Sequence, residues 1–303
     1  MLHLCVGAAP PATPWPVTLR EKMVRLNAVG FRLGTTAAKL CPRTAAGTGL
    51  TLDYIEAYDA GDRPAIRELL KMSDRPQIAA VAPGSPADQA GVVPGDEIAA
   101  IDGVSVEQIR SRSRDASLFA DELEDLLAAK PADAPIALAL DRGGERRIAR
   151  LQPVAICSAR FVIKTGRGFD GFTDGTNAAL SDTLIGFARN DDELALVAAH
   201  ELGHIVNRDA QARSIAQRRA MEDRADLMGV RLSYCAGYDP VNAQAFWLRR
   251  DAQDWLRFLR DPTHRSRKAR VALMREEARH LECPPQTLAA QGLPDHTTET
   301  QTK

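Results

Sequence analysis

Two histidines and a glutamate form the pattern in this chain that is best suited to do chemistry. The sequence H-E-L-G-H at 200–204 lies within an apolar run, 194–206, that predicts a buried helix. Four residues on a helix turn through about 400°, so His200 and His204 project from nearly the same face. Two imidazoles placed in this way can bind one Zn²⁺, and Glu201 then lies where a general base would meet the attacking water.

A hydrolytic zinc site needs a third protein ligand and an open position. Glu222 and Asp226 lie four residues apart in a second predicted helix and therefore share one face. Glu222 can bind the metal, while Asp226 can accept a hydrogen bond from a ligand histidine and fix its tautomer. Arginines flank this pair, so a merely solvated charged face is the alternative.

Asp209, His264 and His280 are rival third ligands. If the first helix continues past His204, Asp209 projects about 140° away from that histidine and faces away from the metal. We therefore expect the third ligand to come from another helix, with Glu222 as the best candidate.

Periodicity and turn residues predict the elements that must position these groups. Asn190, with Glu193 three residues later, resembles a capping box for the helix that carries the two histidines. The glycine-rich segment 166–175 reads as a flexible turn region. The other predicted elements are helices at 17–40, 61–72 and 117–129, strands at 48–55 and 159–164, a hairpin at 136–140 and 147–151, and a strand or turn-helix at 177–188.

The block at 78–103 reads as strand, turn, short helix, turn and strand, with glycines at the tight positions. Its pattern S-P-A-x-x-A-G, then G-D-x-I and I-D-G, resembles the middle of a bacterial PDZ domain. Such a domain binds an extended peptide by strand addition. The resemblance makes Gly49 and Leu50 candidates for a loop that binds the peptide carboxylate, with an ordinary strand entry as the alternative.

The downstream motifs resemble those of the M48 metallopeptidases, a gluzincin family that combines H-E-x-x-H with E-x-x-x-D. The resemblance implies His200, His204 and Glu222 as ligands of one zinc ion per chain, Glu201 as the base, and Asp226 as a supporting residue. With the upstream block, the chain resembles bacterial M48 peptidases that contain a PDZ domain. By analogy with other gluzincins, substrate would lie along an edge strand near 177–188.

A later segment is similar to the T-H-P-(x)4-R pattern of this family, with Arg265 in place of the proline. The pattern implies that His264 approaches the zinc ion and can gate it, and a surface histidine is the alternative. Arg270 would stabilise the oxyanion or hold substrate, or it would be a plain helix-surface arginine.

The composition restricts the classes of partner that we expect. The net charge of −1 and the 5% aromatic content give no reason to expect nucleic acid. The sequence has no run of about 18 apolar residues, so it predicts no transmembrane helix, although peripheral association with the envelope stays open.

Four cysteines, Cys41, Cys157, Cys235 and Cys283, allow three disulfide pairings, with buried free thiols as the alternative. Disulfides and the family resemblance favour a periplasmic or envelope location, and the cytoplasm stays open.

These observations predict an α+β protein in which a PDZ-type β-barrel domain precedes a mostly helical zincin domain. The expected divisions are an N-terminal helical segment at 1–43, the PDZ-like domain at 44–154, the peptidase domain at 155–285 and a disordered tail at 286–303. The predicted function is zinc-dependent endopeptidase, with the PDZ domain recruiting or orienting unfolded or misassembled proteins. The alternatives are a PDZ peptide-binding module with a latent or chaperone-like peptidase domain, and a zinc hydrolase that acts on a non-peptide amide.

Overall fold

The computed structural model describes residues 13–166, 168–209, 212–254 and 263–283. The predicted disordered tail at 286–303 lies outside the described residues. In chain order, the elements of the first half are α1 (Trp15–Ala37), β1 (Thr44–Gly47), β2 (Leu50–Asp53), α2 (Arg63–Leu70), β3 (Gln77–Val81), α3 (Pro86–Gln89), β4 (Glu97–Ile101), β5 (Val104–Ser105), α4 (Val106–Arg110), α5 (Phe119–Ala128), β6 (Ile136–Arg142) and β7 (Glu145–Leu151). Those of the second half are β8 (Val154–Cys157), β9 (Arg160–Lys164), β10 (Gly171–Thr173), β11 (Asn177–Ser181), α6 (Asp182–Phe187), α7 (Asp191–Val206), α8 (Ile215–Cys235), α9 (Pro240–Ala243), α10 (Ala245–Gln253) and α11 (Arg267–Glu277).

The PDZ-type part is an antiparallel sheet with strand order β2-β3-β4-β6-β7, and β5 pairs with β4. We expected a closed barrel, and the sheet is instead open, because β2 and β7 end it without pairing with each other. The first strand of this region, β1, pairs with β8 in a separate two-stranded ribbon, with Thr44 opposite Cys157. The predicted strand at 48–55 corresponds to β2 alone, and β1 lies before it. Burial alternates along β6, as expected for a strand with one face on the core.

Helix α1 connects the two halves of the molecule. Leu26, Val29 and Leu33 recur at helical spacing and are buried in the same core as α7. Glycines on α1 allow β8 and β9 to approach closely: a Cβ on Gly30 would lie 2.6 Å from the ring of Phe161. This N-terminal helix therefore belongs to the core that surrounds the histidine motif.

The second sheet has three strands in the order β10-β11-β9. Strand β11 pairs antiparallel with β10 and parallel with β9, so it is the central strand. The expectation of an edge strand near 177–188 is wrong in this respect. The edge next to the histidine motif is β10, which lies inside the segment that we expected to be a flexible turn.

The structure pairs Cys41 with Cys157 and Cys235 with Cys283. The first bond connects the segment after α1 to β8. The second connects the end of α8 to the segment that follows α11. Among the described residues, no helix has the length and apolar character needed to span a bilayer.

Candidate metal centre

Helix α7 holds both histidines of the motif in a buried position. Its N-cap is Asn190, whose side-chain oxygen accepts a hydrogen bond from the Glu193 backbone N–H at 3.0 Å. The Glu193 carboxylate accepts a bond from the Arg189 backbone N–H rather than from Asn190, so the predicted capping box is displaced by one residue. One helical turn apart, the rings of His200 and His204 have centroids separated by 4.9 Å.

Helix α8 brings Glu222 to these histidines. One oxygen of Glu222, Oε2, lies 3.3 Å from Nε2 of His200 and 3.5 Å from Nε2 of His204. The potential ligand atoms of the three residues all lie within 4.8 Å of one another. The two helices can approach because of a glycine on each, since a Cβ on Gly203 or on Gly229 would lie 3.1 Å from the backbone of the other helix.

Asp226 and Arg270 support His200 from behind. Asp226 Oδ1 lies 3.0 Å from Nδ1 of His200, and both Asp226 oxygens accept hydrogen bonds from the Arg270 guanidinium, at 2.6 and 2.8 Å. The guanidinium also stacks over the ring of Trp247 at 4.1 Å. Arg270 is buried, so the alternative of a plain helix-surface arginine is wrong, and its predicted role in stabilising the oxyanion or holding substrate stays a prediction. Its position is that of a residue that holds the Asp226–His200 pair in place.

Asp209 is the supporting residue that sequence reasoning missed. Its Oδ2 lies 2.8 Å from Nδ1 of His204, and its Oδ1 accepts a bond from Arg224 at 2.6 Å. The expectation that Asp209 faces away is wrong because α7 ends at Val206. Arg208 then adopts a left-handed conformation with φ of +54°, which turns the chain back toward the histidine. The polar run that follows Val206 was the signal that the helix stops there.

Glu201 lies between the histidine pair and β10. A Cβ on Gly171 would lie 2.4 Å from a carboxylate oxygen of Glu201, so a larger residue there would force this carboxylate to move. Burial raises the pKa of Glu201, although the nearby imidazoles oppose the shift. A carboxyl group with a raised pKa, next to a strand edge and to two histidines, is suited to transfer protons.

The two remaining histidine candidates, His264 and His280, differ in their distance from the cluster. Nε2 of His264 lies 3.1 Å from Oε2 of Glu222, so this residue joins the cluster from the segment before α11. Its side chain is 38% exposed, against 9% for His200. His280 lies on the surface beside Glu276 and does not approach the cluster.

Charge in the cluster is distributed between the imidazoles and the carboxylates. Burial would lower the pKa of His200, but hydrogen bonds to Asp226 and Glu222 outweigh it and raise the pKa to about 9. Burial would raise the pKa of Glu222, and its contacts with His200, His204 and His264 instead lower it. Two imidazoles and a deprotonated carboxylate are the donor set that zinc takes in hydrolases, so these residues fit that ion.

Gly49 and Leu50 lie at the entry to β2. Gly49 has φ of +80°, and a Cβ there would lie 2.1 Å from the side chain of Ser85, so the position requires glycine. Its carbonyl accepts hydrogen bonds from the Ala82 N–H and from Asn27, at 2.8 and 3.0 Å. The predicted role of these two residues in peptide binding stays a prediction.

An open antiparallel sheet of PDZ type, joined to a His–His–Glu cluster on two packed helices, is typical of a metal-dependent hydrolase with a peptide-binding module. Residues 77–129 match the family model of the PDZ domain, and residues 167–218 match that of peptidase family M48. The two matches confirm the resemblance to an M48 peptidase with a PDZ domain. The second match includes the histidine motif and ends four residues before Glu222. No curated protein sequence matches the chain.

Proposed function

We propose that this protein is a zinc-dependent endopeptidase in which Glu201 is the general base. The observation that carries the proposal is the position of Glu201, which is buried beside the His–His–Glu cluster and against the edge strand β10. The match to peptidase family M48 supports a metallopeptidase. Peptide substrates fit this arrangement because an open strand edge can pair with an extended chain.

His200, His204 and Glu222 would hold the zinc ion. When bound, zinc polarises the scissile carbonyl and lowers the pKa of water at the site. Glu201 accepts a proton from the attacking water and donates it to the leaving amine, a role for which a raised carboxyl pKa is suitable. Asp226 and Asp209 hold the two imidazoles through their Nδ1 atoms, so both Nε2 atoms face Glu222.

The PDZ domain would recruit or orient unfolded or misassembled protein substrates. The two disulfides support an oxidising location, and we propose the bacterial periplasm or cell envelope. Alkylation of the cysteines in protein taken directly from cells tests this location. No alkylation is expected at Cys41, Cys157, Cys235 and Cys283, because all four are in disulfides. Alkylation of all four would contradict an oxidising compartment.

Casein degradation tests the peptidase proposal. Zinc-loaded wild type is expected to cleave casein, whereas Glu201→Gln keeps its zinc and loses at least about a hundredfold in rate, because it cannot accept the proton. Glu145→Gln, the same change on an exposed strand, is the matched control and is expected to cleave like wild type. A wild type that binds zinc and leaves casein intact would favour the alternative of a peptide-binding protein with a latent peptidase domain.

A further inference from the structure

A channel runs between the PDZ sheet and the three-stranded sheet. Its two walls are the edge strands β2 and β9, and α1, α5 and the ribbon of β1 and β8 line the other sides. The channel contains two cavities of about 390 and 250 Å³. Both cavities are lined by Asn27, Thr51, Glu124 and Phe161, so these four residues stand at the junction between them.

Glu124 occupies one of the backbone groups that an added strand would use. The Leu52 N–H points away from β3 and into the channel, where it donates to Oε1 of Glu124 at 2.7 Å. The Leu50 N–H on the same side has only a 3.4 Å contact with Oγ1 of Thr48. Within the described part of the chain, no strand pairs with this side of β2. A peptide that added to β2 would place a carbonyl where the Glu124 carboxylate now lies.

Acidic groups surround this junction. Nη1 of Arg160, on β9, lies 3.0 Å from Asp121, 3.6 Å from Asp125 and 4.0 Å from Glu124. Three carboxylates of α5 therefore share one guanidinium from the opposite wall. Burial also raises the pKa of Glu124 to about 7, which marks this carboxyl group as poorly solvated where it lies.

We propose that Glu124 is an internal competitor that closes the PDZ groove, and that the groove binds extended peptides carrying a basic side chain. The peptide carbonyl replaces the carboxylate at the Leu52 N–H. The peptide's lysine or arginine then pairs with the released Glu124, because Arg160 alone does not balance the three acids. The inference rests on the proposed peptide-binding role of the PDZ domain and adds its selectivity and its closed state.

Retention of a randomised decapeptide pool tests this inference. The full chain is immobilised in a Glu201→Gln background, so that bound peptides are not cleaved, and the retained peptides are identified by mass spectrometry. The parent is expected to retain few peptides, and these are enriched in lysine and arginine. Glu124→Ala is expected to raise the retained amount about tenfold and to reduce the basic enrichment, of which Asp121 and Asp125 beside Arg160 keep a part.

Two further variants make the result specific. Glu124→Gln keeps an oxygen that can accept from the Leu52 N–H but has no charge, so it is expected to stay poorly retentive and to show a reduced basic preference. Glu122→Ala, on the same helix and not among the residues that line the channel, is expected to behave like the parent.

The inference would be overturned if the parent and Glu124→Ala retained equal amounts of peptide with the same composition. Failure of every variant to retain peptides would also overturn it. Casein cleavage by zinc-loaded wild type separates this failure from that of the peptidase proposal, since cleavage without peptide retention leaves the peptidase proposal intact.

Discussion

Asp209 Oδ2 lies 2.8 Å from Nδ1 of His204, although Asp209 follows that histidine by only five residues. A continuous helix would have placed the two side chains on different faces. The contact exists because α7 ends at Val206 and the chain reverses at Arg208. Each histidine of the motif thus has an aspartate at Nδ1, and the end of the helix supplies one of them.

Substitution of Asp209 is expected to weaken zinc binding. Asp209→Ala removes the group that orients His204, and loss of such a partner lowers metal affinity by about 10- to 100-fold. Competition with a chelator of known affinity measures the change. Asp223→Ala, which removes an aspartate that pairs with Arg265 at the surface, is the control and is expected to keep wild-type affinity. Equal affinities for the two variants would show that Asp209 does not support the ligand.

Substitution of Arg270 is expected to destabilise the fold. Arg270→Met removes the guanidinium that binds both oxygens of the buried Asp226 carboxylate and leaves only the His200 imidazole beside it. Breaking a buried pair in this way costs up to about 3–5 kcal/mol. Arg265→Met breaks an exposed pair with Asp223 and is expected to cost less than about 1 kcal/mol. Urea titration of the metal-free proteins gives both changes in the free energy of unfolding. Similar costs for the two would contradict a structural role for the buried pair.

Zinc affinity is expected to rise with pH up to about pH 9. The contacts of His200 with Asp226 and Glu222 raise its pKa to about 9 in the metal-free protein, against about 6.5 for an ordinary histidine. The metal must displace this proton, so affinity gains up to about tenfold per pH unit while the imidazole is protonated. The same raised pKa stabilises the metal-free fold fully below about pH 6.5, and this contribution is lost as the pH rises to 9.

Chelator competition at pH 6.5, 7.5 and 8.5 checks the affinity, and urea midpoints of the metal-free protein check its stability. An affinity that is already constant above pH 6.5 would show that His200 is neutral there. In that case Asp226 orients the His200 ring without keeping the imidazole protonated.

Local patterns were sufficient to predict part of the fold and the core of the candidate site. The apolar run around His200 and His204 predicted their helix, and turn glycines predicted the PDZ-type strands. Pairings between distant segments were not predictable in this way. The register of β1 with β8 joins Thr44 to Cys157, and no local periodicity records such a partner.

Two residues of the site show the same limit. Arg270 lies in a helix rich in charged residues, and only the tertiary fold places it against Asp226 and Trp247. Gly171 lies in a glycine-rich segment that local rules read as a turn. The glycine leaves space for the carboxylate of Glu201, thirty positions later, and a side chain at 171 would displace that carboxylate from its present position.

The Cys235–Cys283 disulfide closes a ring that contains the whole chain from the end of α8 to the segment after α11. A protease is exposed to cleavage by its own copies. A single nick between Cys235 and Arg270 would leave two fragments joined through sulfur, with Arg270 on one and Asp226 on the other. The bond therefore allows the buried Asp226–Arg270 pair to outlast a cut backbone, and such a nicked molecule would separate into two pieces only after reduction.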